Sequence, residues 1–197
     1  MDISINKSNY LKGIAIILML IHHLFAYPNR ISPDIPVYHI VNSVDLEMYL
    51  GLFGKICVSM FLFLSGYGFS LKKEVSFHYF WGKLKNLYIS YLIVFFIFVP
   101  IGIFFFPGER YSLSLPLFLE NLIGIKSTYN SEWWFFKLYV LYVLSLPLLS
   151  RLNIYPLLGL LVLAALCGRG LQYFAWAPEI LIEYCTWLLP FGFGMVF

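Results

Sequence analysis

Charged side chains are scarce in this chain: Lys, Arg, Asp and Glu together make up 12% of its 197 residues. A soluble domain of ordinary composition carries about twice that fraction. Basic residues cluster only beside apolar segments, which argues against nucleic-acid binding. Apolar residues make up 61% of the chain, and the mean hydropathy is +0.82. This composition predicts an integral membrane protein.

Cysteine is also rare. The three cysteines, Cys57, Cys167 and Cys185, all lie in apolar stretches, and no CxxC pair occurs. An odd number without paired spacing predicts neither a disulfide framework nor a metal site. No histidine lies at metal-ligand spacing from a carboxylate, so no metal is expected. We therefore expect the three thiols to be buried and to act as small apolar groups.

Long apolar runs dominate the rest of the chain. They lack the strict alternation of strands, so they predict an all-α, polytopic transmembrane helical bundle with about six spans. The predicted spans are 10–27, 52–71, 87–106, 133–150, 155–166 (with a possible extension to 171) and 180–197. A short amphipathic interfacial helix is predicted within 37–50. The segments 72–86 and 107–132 are expected to be a basic loop and a loop of mixed charge.

The distribution of lysines predicts the orientation. Four of them lie between the second and third spans, at positions 72, 73, 83 and 85, and Lys7 and Lys12 are at the start of the first span. Cytoplasmic loops of membrane proteins are enriched in Lys and Arg. We therefore expect a multi-pass protein with its N-terminus in the cytoplasm.

The first predicted span contains two polar residues whose spacing places them on the same face of the helix. Lys12 and His23 are eleven residues apart, about three helical turns, so they share one helix face within about 20°. The rise between them is about 16 Å, about half of a hydrocarbon core. We expect Lys12 at the cytoplasmic mouth and His23 deep in the outer half. Ionisable groups at such depth usually face a protein interior or a wet cavity.

These residues also have structural explanations. A lone intramembrane histidine can simply hydrogen-bond a neighbouring span, and Lys12 satisfies the positive-inside rule. His22 points about 100° away from His23, which favours a packing or supporting role. Ser65-Gly66 in the second span favours close helix packing, because small residues let backbones approach.

Three stretches, in order, resemble the acyltransferase 3 family of bacterial membrane O-acyltransferases. The first is a basic residue and a histidine separated by ten residues, here Lys12 and His23. The second is the run Phe61-Leu-Phe-Leu-Ser65-Gly66-Tyr67, and the third begins at Trp134 and continues to Pro147. The resemblance covers 1–197, which is identified as one acyltransferase 3-like transmembrane domain. Members of the family have more spans than the six predicted here, so we expect a truncated member.

The resemblance implies transfer of an acyl group, often acetyl, from acyl-CoA to a hydroxyl of a cell-surface polysaccharide or a lipid-linked sugar. It implies His23 as the general base and Lys12 as its basic partner near the donor. The family's Arg-x-x-Arg is replaced by Lys83-Leu-Lys85-Asn86, so Lys83 and Lys85 are candidates for the donor's phosphates. Acyl-CoA is then a donor substrate, and no bound cofactor is expected. The implied location is the cytoplasmic membrane of a bacterium, among its lipids.

Two other functions stay open. Polar residues along the bundle also suit a glycan or lipid transporter or flippase, with His23 as a proton relay. An inactive acyltransferase fragment is the other alternative. Only an acyltransferase needs to bind acyl-CoA at the cytoplasmic loop. Polar helix faces left towards lipid are costly, so self-association or association with a partner is expected.

Overall fold

Every regular element in the described part of the chain is helical. A computed structural model describes residues 3–30, 45–72, 77–108 and 110–197. The all-α prediction is confirmed, with no β-strand in those ranges. The helices are α1 (Ile5–Phe25), α2 (Leu46–Gly54), α3 (Ile56–Ser70), α4 (Phe77–Phe105), α5 (Leu115–Leu122), α6 (Trp134–Leu149), α7 (Ile154–Leu171) and α8 (Glu179–Val196).

Within the described residues, six stretches of helix are long and apolar enough to cross a membrane, which confirms the predicted multi-pass bundle. α2 and α3 together form one of these stretches, Leu46–Ser70, and α1, α4, α6, α7 and α8 supply the others. The spans start earlier than predicted at α1 and α4, and α7 extends to Leu171. The cytoplasmic position of the N-terminus stays a prediction.

The predicted basic loop before the third span is wrong. Lys83 and Lys85 lie within α4, which begins at Phe77. Apolar side chains at 80, 84, 87 and 88 are half-buried, whereas both lysines are exposed. A lysine can pack its aliphatic stem along a helix while its ammonium stays at the surface. The lysines are therefore compatible with an amphipathic start of α4. The prediction that the span begins at 87 was too late because it treated these charged residues as part of a loop.

Three other sequence expectations also change. The 107–132 segment contains a helix, α5, which starts with Pro116 in its first turn. Residues 46–50 of the predicted interfacial helix are the start of α2, whereas 37–44 lie outside the described residues. Cys57 is buried as expected, but Cys167 is exposed and Cys185 is partly exposed.

The chain divides into two compact units. The first comprises Met1–Lys72, Ile154–Ala165 and Trp187–Phe197, and the second comprises Lys73–Asn153 and Leu166–Thr186. α7 and α8 are each divided between the two units, with one part of the helix in each. The predicted site residues Lys12 and His23 belong to the first unit, and Lys83 and Lys85 to the second.

Glycines bring the helices of the first unit together. A Cβ at Gly66 on α3 would meet the carbonyl oxygen of Phe191 on α8, and a Cβ at Gly194 would meet that of Phe63. Only hydrogen at these positions allows the two backbones to approach so closely. The Ser65 hydroxyl donates to the Phe61 carbonyl of its own helix at 2.8 Å. The packing interpretation of Ser65-Gly66 is thus confirmed.

An aromatic core organises the second unit. Tyr91, Phe95 and Val99 on α4 are buried against Tyr129, with Trp133 packed at the edge of the cluster. Trp133 meets Tyr91 in an edge-to-face contact with ring centroids 5.0 Å apart. Such aromatic pairs add stabilisation beyond the area that they bury. The core fixes the segment between α4 and α6 against α4.

A buried amide holds that segment in shape. The Asn121 side chain is fully buried, donates to the Leu117 carbonyl at 2.8 Å and to the Thr128 hydroxyl at 2.7 Å, and accepts from the Thr128 amide at 2.9 Å. The Tyr91 hydroxyl donates to the Asn121 carbonyl. Buried polar groups must be paired in this way. Burial also raises the pKa of the neighbouring Tyr129 phenol.

Candidate functional site

The two adjacent histidines of α1 lie in different environments. His22 is buried, and its Nδ1 lies 2.8 Å from the Gly51 carbonyl oxygen on α2. A carbonyl only accepts, so Nδ1 carries the hydrogen and donates it. Nε2 is then free to accept from the Tyr27 hydroxyl, 3.4 Å away. Both ring nitrogens of His22 are thus engaged, and the predicted packing or supporting role fits this geometry.

Glycines on α2 make the contact with His22 possible. A Cβ at Gly54 would lie 3.0 Å from the His22 amide nitrogen, and a Cβ at Gly51 would lie against the backbone of Phe25 and Ala26. Any larger side chain would push α2 away from α1. The sequence Gly51-x-x-Gly54 therefore sets the distance at which His22 reaches the α2 backbone.

His23 is exposed and offers its imidazole on another side of α1. Its ring meets the His22 ring edge-on, with centroids 5.3 Å apart. Lys12 is also exposed. Both histidines lie in the last turn of α1, because the helix runs from Ile5 to Phe25. His23 is therefore nearer to the C-terminal end of the helix than the span predicted at 10–27 placed it.

Lys55 is a basic residue that the sequence reasoning missed. It lies between α2 and α3, inside the membrane-spanning stretch Leu46–Ser70. Its Nζ lies 5.9 Å from the centre of the Trp187 ring on α8. The signal was present in the sequence as a lone lysine in the apolar run between Leu50 and Leu64. The sequence analysis considered only the lysines in loops and at the start of the first span, and therefore did not include Lys55.

The second unit contains a cavity of about 990 Å³ beside α4, lined mainly by apolar side chains. Five titratable residues also line it: His78, Lys85, Tyr88, Lys137 and Glu179. A large apolar pocket with a few polar groups is the usual form of a small-molecule site. Of the two lysines predicted to meet the donor, Lys85 lines this cavity. Lys83 instead lies with its Nζ 5.4 Å from the Tyr79 ring.

His78 and Lys137 line the cavity, although the sequence does not predict that they lie close together. The sequence predicts a loop at 72–86, which contains His78, and a span at 133–150, which contains Lys137. The structure places His78 on α4 and a half-buried Lys137 on α6, on the wall of one cavity. No sequence spacing links residues so far apart. In the described ranges, no group of His, Cys, Asp and Glu is arranged to hold a metal ion.

Comparison with known proteins identifies the family. The family model of acyltransferase 3, described as an acyltransferase domain, matches residues 5–197. Comparisons with curated proteins and with solved structures give no match. The matched region includes the six helices that are able to span a membrane. The chain therefore belongs to the acyltransferase 3 family, and membrane-bound acyl transfer is its general activity.

Proposed function

We propose that this protein is a membrane O-acyltransferase that moves an acyl group, most simply acetyl, from acyl-CoA to a hydroxyl of a cell-surface polysaccharide or lipid-linked sugar. The observation that carries this proposal is the contrast between the two histidines. His22 uses both ring nitrogens within the fold, whereas His23 presents an exposed ring beside it. We assign the role of base to His23 because its ring is exposed and because it is the histidine of the Lys12–His23 spacing.

The proposed reaction is general-base catalysis by His23. The imidazole takes the proton of the sugar hydroxyl while the oxygen attacks the thioester carbonyl carbon. A C–O bond forms, the carbonyl π electrons move to oxygen, and the resulting intermediate collapses with cleavage of the C–S bond. His23 then returns the proton to the leaving thiolate, which gives free CoA and an ester. General-base assistance of this kind contributes about 10²–10⁴-fold.

Two groups of lysines are assigned to the donor. Lys85 on the wall of the cavity is proposed to meet a phosphate of acyl-CoA as a point charge, and Lys83 is a weaker candidate because it lies beside Tyr79. Lys12 is proposed as the basic partner at the mouth of α1. These roles require the lysines on the cytoplasmic side of a bacterial cytoplasmic membrane, in accordance with the positive-inside rule.

The test is transfer of labelled acetyl from acetyl-CoA to the surface glycan of cells that express the protein. His23→Ala should abolish transfer, and Leu24→Ala, which truncates an exposed neighbour on the same turn, should leave it unchanged. Both variants should reach the membrane in equal amounts. Full transfer by His23→Ala would refute His23 as the base. Movement of glycan or lipid without acyl-CoA would favour the transporter alternative.

A further inference from the structure

Lys55 is an ionisable side chain within a membrane-spanning stretch. It is nine residues from the start of Leu46–Ser70, which corresponds to about 14 Å along the helix axis. An ammonium at such depth is costly, and intramembrane charges usually pair or serve a substrate or ion. Because a lysine at this position is costly, we ask what function it serves.

No carboxylate in the described ranges neutralises Lys55. Its Nζ instead faces the ring of Trp187 at 5.9 Å. A cation–π contact attracts an ammonium by about 0.5–2 kcal/mol, and the ring carries no net charge. Trp187 thus holds Lys55 in place while the full positive charge remains available to another group.

Lys55 also lies at the level of the histidine pair. The neighbouring Gly54 approaches α1 so closely that a Cβ there would lie 3.0 Å from the His22 amide nitrogen and 3.1 Å from the His22 Cβ. His23 is the next residue of α1. Lys55 and His23 are therefore the residues that directly follow the two partners of this contact between α2 and α1.

We propose that Lys55 is a catalytic residue that stabilises the oxyanion of the acyl-transfer step. When the sugar oxygen attacks the thioester, the former carbonyl oxygen gains a negative charge. A positioned cation that forms no ion pair with a carboxylate of the described residues stabilises that charge selectively. A resident carboxylate would cancel this effect. The proposal rests on the proposed acyltransferase function.

The test compares wild type, Lys55→Met, Lys55→Arg and the control Lys72→Met in native membranes, with labelled acetyl-CoA as donor and the host's surface glycan as acceptor. Lys72 follows the end of α3 and is also a lysine, but it lies outside the membrane-spanning stretch. Lys55→Met should lower kcat by about 10²–10³-fold, the usual loss on removal of one oxyanion partner. KM for acetyl-CoA should stay within about twofold, because the interaction forms only in the transition state.

Other outcomes separate the possibilities. Lys55→Arg should recover most of kcat, and Lys72→Met should match wild type. An unchanged kcat in Lys55→Met would overturn the proposal, as would a raised KM with an unchanged kcat, which would assign Lys55 to ground-state binding. Absence of acetyl-CoA-dependent transfer in wild type would refute the proposed function and this role together.

A second variant keeps the test decisive if Lys55→Met does not accumulate in the membrane. Trp187→Leu retains the ammonium but removes the ring that positions it. Its kcat should fall by about 2–30-fold, the equivalent of one cation–π contact, while KM is unchanged. Wild-type kcat in Trp187→Leu would then overturn the proposal.

Discussion

Gly66→Ala tests how closely α3 and α8 are packed. The added Cβ would meet the Phe191 carbonyl oxygen, and would lie 3.0 Å from the Phe191 carbonyl carbon and 3.2 Å from the Met195 amide nitrogen. All three are backbone atoms, so no side-chain rotation relieves the contact and the helices must separate. Overpacking of this kind costs about 1–3 kcal/mol.

An opposing term has to be subtracted. Alanine is favoured over glycine within a helix by about 0.5–1 kcal/mol. The net loss for Gly66→Ala is then about 0–2.5 kcal/mol. For a chain of this length, each kcal/mol corresponds to about 2–4 °C in Tm, so we expect a fall of up to about 10 °C.

Gly68→Ala is the matched control. It lies on the same helix two residues away, and a Cβ there would meet nothing within 4 Å. The helix-propensity gain should therefore appear alone, as an unchanged or slightly raised Tm. The assay is thermal unfolding of detergent-solubilised protein, followed by loss of the monodisperse species after heating. Equal Tm values for the two variants would refute the packing argument.

His22→Leu should lower the free energy of unfolding by about 1–3 kcal/mol, because the polar partners of a buried imidazole lose their hydrogen bonds; an unchanged Tm would show that His22 is not structural. Lys85→Gln should raise KM for acetyl-CoA about tenfold, by loss of one charge-assisted contact, whereas Lys83→Gln should raise it less; equal KM values for wild type and Lys85→Gln would remove the cavity from the donor site. Burial raises the pKa of Tyr129 above its unfolded value, so its contribution to stability is present below pH of about 10 and is lost as pH rises through the raised pKa. Tyr129→Phe should therefore show a shallower alkaline loss of Tm than wild type; parallel curves would contradict this.

The histidine pair shows how adjacent residues acquire different roles. His22 and His23 are chemically identical, and a helix turns them about 100° apart. Which of them is buried depends on α2, because Gly51 and Gly54 bring that helix to the side on which His22 lies. Replacement of either glycine by a larger residue should disturb His22 first, since its Nδ1 hydrogen bond depends on the distance between the two helices.

The sequence by itself determined the class of the protein and most of its helices. Apolar runs long enough to cross a membrane are a local property, so six spans followed from hydropathy. Order and spacing of short motifs around Lys12, His23, Ser65 and Trp134 indicated the family, which the match over 5–197 then showed. The beginning of α4 was placed wrongly because a lysine is compatible with both a loop and an amphipathic helix.

Only the tertiary structure decided which polar residues lie together. Lys137 lines one cavity with His78 and Lys85, although it lies more than fifty residues after them in the chain. The role proposed for Lys55 depends on its contact with Trp187, which lies more than a hundred residues later in the chain. Hydropathy and periodicity describe neighbours along one helix, whereas these groupings depend on which faces of different helices pack against each other. That choice is made by side-chain shape, above all by glycines at the crossings, and one sequence does not reveal it.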